Sequence, residues 1–167
     1  MSNPHGQNAY QVRFDWGAVG AEAIADGAHV VVWVDQLAAV SGSSGASGEP
    51  MPLLGGTPGG VELMPATLED ASDVANFCQR RQTELGGRFV IAVVAAGAAR
   101  TDGSVRFAVE DLLAAGAIVE ELARVGIDHQ SPEAAAAASA YTGLKNATRH
   151  LISASASSRE ARESSEA

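Results

Sequence analysis

The sequence predicts an α/β protein with a mostly parallel or mixed sheet that is covered by helices. Residues 28–35 and 88–95 are continuous runs rich in β-branched and small apolar side chains. Such runs are typical of strands that are buried on both faces, as parallel strands usually are. Segments with apolar residues at helical spacing follow these strands, and this alternation favours a sheet covered by helices.

The first elements are short. Tyr10, Val12 and Phe14 alternate with polar residues, which predicts a half-buried strand. An Ala-rich helix is predicted over residues 17–25, stopped by Gly27. The strand at residues 28–35 follows and ends in Asp35.

Residues 41–60 interrupt the pattern. Fourteen of these twenty residues are Gly, Ser or Pro, a composition that predicts a flexible loop because it forms no packed element. A structureless loop of this length is unusual inside a compact domain.

Three helices are predicted in the remainder. The first starts at Thr67, with Asp70 in a capping-box position, and ends at Gly86. The second begins near Phe107, after a loop over residues 96–106. The third begins at Ser131 as N-cap, followed by Pro and Glu, and extends to about residue 151. Residues 153–167 lack an apolar stripe and are predicted to form a disordered tail. The chain is therefore expected to form one domain over residues 1–152.

Composition excludes several classes of function. The 167 residues carry a formal net charge of −9, so neither nucleic acid nor an anionic membrane is an expected partner. Cys78 is the only cysteine, which rules out an intrachain disulfide. The four histidines show no paired metal-ligand spacing. No apolar run reaches the length of a membrane span, and we expect a cytoplasmic protein.

Two places in the sequence are candidates for chemistry, because ligands of parallel sheets bind beyond the carboxyl ends of the strands. One is Asp35, whose carboxylate is suited to hold Mg²⁺. Its alternative role is to cap the following turn. We expect the two buried strands to lie side by side, which brings Asp35 to the same edge of the sheet as the second place, the loop over residues 97–104. Behind that loop lie Glu110 and Asp111, early in a predicted helix. Their alternative role is a favourable interaction with the helix dipole alone.

The loop before that helix has the composition of an anion site. Backbone amides at its glycines and near the helix start are suited to receive a phosphate group, together with guanidinium groups. The candidates are Gly97, Arg100, Gly103, Ser104 and Arg106. A glycine loop before a helix is a weak signal by itself.

Several segments together resemble the 2-phosphosulfolactate phosphatase (ComB) family, in the family's own order over about two thirds of the chain. They are residues 10–17 (YQVRFDWG), 34–37 (VDQL), 66–75 (ATLEDASDVA), 95–97 (AAG), 102–104 (DGS), 109–118 (VEDLLAAGAI) and 131–134 (SPEA). The stretch over residues 91–119 is the most specific.

This resemblance implies a ComB-like fold, a three-layer α/β/α sandwich around a mostly parallel or mixed sheet. It also implies Mg²⁺-dependent hydrolysis of a small phosphorylated acid, 2-phosphosulfolactate. Asp35, Glu110 and Asp111 match the acidic positions of the family, which implies catalytic roles for all three and a metal-binding role for Asp35 and Glu110. The turn Asp102-Gly103-Ser104 is implied to line the substrate site.

The chain also departs from the family pattern. Relatives carry Arg or hydroxyl residues where this chain has Ala38 and Ala39, and Glu where it has Ala98. Lost charged groups lower phosphoryl-transfer rates, since one stabilising donor is typically worth about 10²–10³-fold. An inactive relative that keeps the fold for binding or assembly is therefore the alternative hypothesis. A third hypothesis is a homo-oligomer that completes the site.

Overall fold

The computed structural model describes residues 3–37 and 60–166 of the chain. The loop predicted at residues 41–60 lies outside the described residues, apart from Gly60.

A four-stranded parallel sheet forms the centre of the protein. All neighbouring pairs run in the same direction, in the order β1-β4-β2-β3. The strands are β1 (Val12–Trp16), β2 (Val30–Val34), β3 (Glu62–Ala66) and β4 (Ile91–Ala95). The prediction of an α/β protein with a mostly parallel sheet is confirmed.

Strand β3 was not predicted from the sequence. It lies at the edge of the sheet, and Pro65 is tolerated there because an edge strand can lack one hydrogen-bond donor. Polar Glu62 and the proline hide the apolar pattern that marks the two central strands.

Helices follow the strands, and a small hairpin follows β4. The helices are α1 (Gly17–Ile24), α2 (Ala71–Leu85), α3 (Val109–Arg124), α4 (Pro132–Leu144), α5 (Thr148–Ala154) and α6 (Ala156–Ser165). The hairpin pairs β5 (Ala98–Ala99) with β6 (Val105–Arg106) in antiparallel fashion. Short 3-10 turns lie at Pro4–Gly6, Leu68–Asp70 and Lys145–Ala147. No helix within the described ranges combines the length and apolar character needed to cross a bilayer.

The sheet buries both of its faces. Val30, Val32 and Val34 belong to a core shared with helices α2, α3 and α4. Val31 and Trp33 point to the other face and pack in a second core with α1. Successive residues of a strand face opposite sides, which explains why β2 is apolar throughout. Helices on both faces are compatible with the predicted α/β/α sandwich.

Helix α3 approaches α4 closely at Gly116. A Cβ atom at this position would lie 2.2 Å from the carbonyl oxygen of Ala137. Only glycine allows this separation, so the two helices pack with their backbones nearly in contact.

The C-terminal residues form helices where the sequence predicts a disordered tail. Ser155 caps α6 by accepting a hydrogen bond from the amide of Ser158 at 3.2 Å. Arg106 donates to Ser157 Oγ at 3.1 Å and lies 3.5 Å from a carboxylate oxygen of Glu160. A helix that is held by polar contacts of this kind does not need an apolar stripe, so its sequence does not show one. Likewise, the helix predicted to run from Ser131 to about residue 151 ends at Leu144, and α5 continues after a 3-10 turn.

Candidate active site

The carboxyl ends of β2 and β4 lie side by side. Val34 is in register with Ala95, and the amide of Ala96 donates to the carbonyl oxygen of Val34 at 2.9 Å. Asp35 and Gly97 therefore leave the sheet at the same edge, as the sequence predicts.

One carboxylate joins the two loops that leave this edge. Oδ1 of Asp111 accepts a hydrogen bond from the amide of Gln36, and Oδ2 accepts one from the amide of Gly97, each at 2.9 Å. Asp111 is 1% exposed. Its hydrogen bonds go to other elements, so its role is not limited to the dipole of its own helix.

Burial raises the pKa of Asp111 to about 8, because a desolvated carboxylate is costly to ionise. The two backbone amides lower this pKa, and the neighbouring charges of Asp35 and Glu110 raise it further. The three acids therefore interact electrostatically, and we call them the acidic cluster.

Glu110 is the least satisfied member of the acidic cluster. Its side chain is 2% exposed, and its Oε1 atom has no hydrogen-bond partner in the part of the chain that the structure describes. Native proteins pair most buried polar atoms, and an unpaired oxygen requires an explanation such as a bound ion or ligand. The carboxylate lies in the first turn of α3, where the helix dipole favours negative charge.

Asp35 is 8% exposed and caps a turn. Its Oδ1 atom accepts a hydrogen bond from the amide of Leu37 at 3.2 Å. The turn-capping role considered from the sequence is therefore present. It is compatible with a second role, since a carboxylate has several acceptor positions.

Gln36 is a site residue to which the sequence analysis gave no role. Its side chain accepts from the amide of Leu68 at 2.6 Å and donates to Glu69 Oε2 at 3.1 Å. It thereby links the loop after β2 to the segment after β3. Its position directly after a strand-end carboxylate is the signal that could have identified it.

The candidate phosphate-binding residues are divided between three places. Gly97 lies at the acidic cluster, bonded to Asp111. A Cβ at Gly97 would lie 2.5 Å from a methyl group of Val105, because the β5-β6 hairpin folds back closely over it. Arg106 is bonded to α6. The remaining candidates lie exposed at the hairpin tip; they are Arg100, Asp102, Gly103 and Ser104.

The hairpin tip is held by its own hydrogen bonds. Ser104 donates to Asp102 Oδ1 from its amide at 3.0 Å and from its hydroxyl at 2.6 Å. These bonds lower the pKa of Asp102. The polar groups of the turn therefore satisfy one another in this conformation.

The residues that could hold a metal ion are few. No group of three or more His, Cys, Asp or Glu side chains is arranged to bind a metal within residues 3–37 and 60–166. Magnesium nevertheless needs only one or two protein carboxylates, since water and substrate phosphate complete its octahedron. Among the described residues, the buried Oε1 atom of Glu110 is the side-chain oxygen that has no hydrogen-bond partner and could contact such an ion.

Comparisons of the chain with protein-family models, curated proteins and solved structures found no match.

Proposed function

We propose that this protein is a Mg²⁺-dependent hydrolase of a small phosphate monoester, of the 2-phosphosulfolactate phosphatase type and with a ComB-like fold. The observation that carries the proposal is the buried Oε1 atom of Glu110, which has no hydrogen-bond partner among the described residues. Glu110 is next in the chain to Asp111, whose carboxylate bonds the loops at the carboxyl edge of the sheet. The resemblance described above suggests the substrate class.

The position of the acidic cluster supports an enzymatic role. Ligands of open parallel sheets bind outside the carboxyl ends of the strands, where Asp35 and Gly97 emerge. Buried acids whose charges interact are costly to the fold, and they concentrate at functional sites. Glu110 and Asp111 are both almost fully buried.

The negative charge of the site means that binding a phosphate ester there requires a cation. Negative charge in the acidic cluster repels a phosphate ester unless positive charge intervenes. Asp35 and Glu110 are the residues that would hold Mg²⁺, which would supply Lewis-acid polarisation of a phosphoryl oxygen. In this proposal Asp111 is a positioning residue, since backbone amides occupy both of its oxygens and fix the two loops around the site.

A second candidate function is a catalytically inactive relative that keeps the fold for binding or assembly. The engagement of Arg106 favours it, because this guanidinium is bonded to Ser157 and paired with Glu160. Phosphoryl transfer depends on positive charge placed around the phosphoryl oxygens, and a committed arginine does not provide it.

Hydrolysis assays distinguish the two functions. Purified protein with excess Mg²⁺ is assayed on 2-phosphosulfolactate and on an aryl phosphate, alongside the variants Glu110→Gln and Asp35→Ala. Glu120→Gln is the matched control, because it removes the same charge from an exposed position on the same helix. The phosphatase proposal expects turnover that chelator abolishes, with a loss of at least about 10²-fold in Glu110→Gln and none in the control.

The opposite result supports the inactive relative. Rates that are the same in wild type, Glu110→Gln and Asp35→Ala, with all three proteins folded by circular dichroism, would remove the phosphatase proposal.

A further inference from the structure

A cavity lies at the end of β1, on the side of Gly97 where Trp16 would lie 3.5 Å from an added Cβ atom. It has a volume of about 630 Å³ and is lined by the N-terminal 3-10 turn, the end of β1, the segment before α3 and the first turns of α3 and α4. None of the described lining residues belongs to the proposed catalytic set. This volume lies within the range of cavities that bind small molecules.

Aromatic rings form one wall of this cavity. The ring of Trp16 packs edge-on against Phe14, with centroids 5.8 Å apart, and lies 5.3 Å from the ring of Phe107. Phe107 is 56% exposed although its ring packs against that of Trp16. A large apolar side chain left open at the mouth of a cavity is typical of a binding surface.

Acidic residues also line the cavity. Asp15 and Glu133 are part of its wall, whereas no Lys or Arg in the described part of the chain is. Among the described lining residues, His5 is the one of basic type. The net charge of −9 acts in the same direction. Aromatic faces and carboxylates both attract positive charge, the rings through their quadrupole.

The rim of the cavity is held in place before any ligand binds. The side chain of Gln7 donates to the carbonyl oxygen of Phe14 at 2.8 Å and accepts from its amide at 3.0 Å. Ser131 caps α4 by accepting from the amide of Ala134 at 3.0 Å, and Glu133 follows in the first turn. A fixed rim lowers the ordering cost of binding.

We propose that this cavity binds a small organic cation of the quaternary ammonium class. The ammonium group lies against the rings of Trp16 and Phe107, and Glu133 supplies the countercharge. The Asp15 side chain lies against Gly20 of α1, and its Oδ1 atom accepts a hydrogen bond from the amide of Trp16 at 2.7 Å, so it is not assigned this role. This site does not depend on the proposed phosphatase activity, since the two sites share no residues.

Choline and its uncharged carbon isostere, 3,3-dimethylbutan-1-ol, test the proposal on the intact chain. The chain has two tryptophans, so an amide NMR spectrum of the labelled protein shows two indole N–H signals, assigned with Trp16→Phe. Choline is expected to shift the Trp16 signal saturably, with a Kd on the order of 1 mM. The isostere should bind about fivefold to tenfold more weakly, which is the contribution of one cation–π contact.

Two pairs of variants test the assigned residues. Phe107→Ala should weaken choline binding about fivefold, whereas Val19→Ala, at another exposed apolar residue, should not. Glu133→Gln should weaken it about twofold to fivefold through the lost charge, whereas Glu84→Gln, on exposed α2 surface, should not.

Three results would overturn the proposal. One is an equal response to choline and to the isostere, which would identify a merely apolar cavity. Another is the absence of a saturable shift at Trp16. The third is tighter binding of inorganic phosphate at the same residues, which would assign the cavity to anions. Comparing choline, the isostere and phosphate on the wild-type protein tests the proposal even if a variant misfolds.

Discussion

Asp111 Oδ2 lies 2.9 Å from the amide nitrogen of Gly97, and this hydrogen bond ties the start of α3 to the loop that leaves β4. The other oxygen of the same carboxylate ties α3 to the loop that leaves β2. One side chain thus fixes both segments that border the proposed active site. Its loss should affect stability and geometry together.

Replacing Asp111 with Ala should lower the free energy of unfolding by about 2–4 kcal/mol, because two largely buried amides lose their acceptors. Asp111→Asn keeps one acceptor and should cost less. Urea unfolding monitored by circular dichroism measures both values. Asp102→Ala, at the exposed hairpin tip, serves as the control and should change stability by less than about 1 kcal/mol. A fully stable Asp111→Ala would show that the two loops do not depend on this carboxylate.

Replacing Glu110 with Met should leave the free energy of unfolding unchanged or raise it by about 1 kcal/mol. A buried carboxylate oxygen without a partner is unfavourable, and an apolar side chain of similar length removes that cost. Thermal unfolding of the metal-free protein gives the comparison. A clear loss of stability would mean that Glu110 serves the fold, which contradicts a role reserved for a ligand.

Replacing Gly116 with Ala should destabilise the protein by about 1–3 kcal/mol, because the added methyl group meets the backbone of Ala137. Gly143→Ala is the matched control on α4, since a Cβ there meets nothing within 4 Å. The control should stabilise the helix by up to about 1 kcal/mol. Denaturant midpoints that move in the same direction for both variants would contradict the close contact of α3 and α4.

The free energy of unfolding should fall as pH rises between the pKa values of the Cys78 thiol in the unfolded and folded protein. Burial, with a smaller effect of the Glu62 charge, raises the pKa of this thiol from 9.0 to about 12. Between these values the unfolded thiol has lost its proton while the folded one keeps it, so the unfolded state is favoured as pH rises. The contribution is constant below pH 9 and falls by at most about 1.4 kcal/mol per pH unit above it.

Unfolding in urea at pH 8 and at pH 10 measures this effect, with Cys78→Ala as the comparison. The variant is less stable at both values because it leaves a cavity, but it should lose less stability between them. An equal pH dependence in both proteins would contradict the assigned pKa shift.

The central strands and their shared edge were predictable because the decisive signals are local. A buried parallel strand is a continuous apolar run, and β2 and β4 show it plainly. The prediction that Asp35 lies beside Gly97 then required only that these two strands pair, as they do. Strand β3 was missed since its proline and glutamate are tolerated only at an edge.

The finer parts of the site depend on long-range partners that no local pattern reveals. Asp111 finds the amide of Gln36, which is distant in sequence, and the sequence cannot show which acid of the pair Glu110 and Asp111 makes that bond. The tail was predicted to be disordered because it lacks an apolar stripe. The structure shows that α6 is held instead by polar contacts, such as that between Arg106 and Ser157, which no apolar pattern reveals.

The most direct measurement is a crystal structure of the protein grown with excess Mn²⁺ in place of Mg²⁺, with anomalous scattering used to locate the metal. The account predicts an anomalous peak within coordination distance, about 2.0–2.3 Å, of Glu110 Oε1 and of the Asp35 carboxylate. Glu110→Gln crystals should lack the peak. Wild-type crystals with no metal at the acidic cluster, or a peak held by neither residue, would contradict the account.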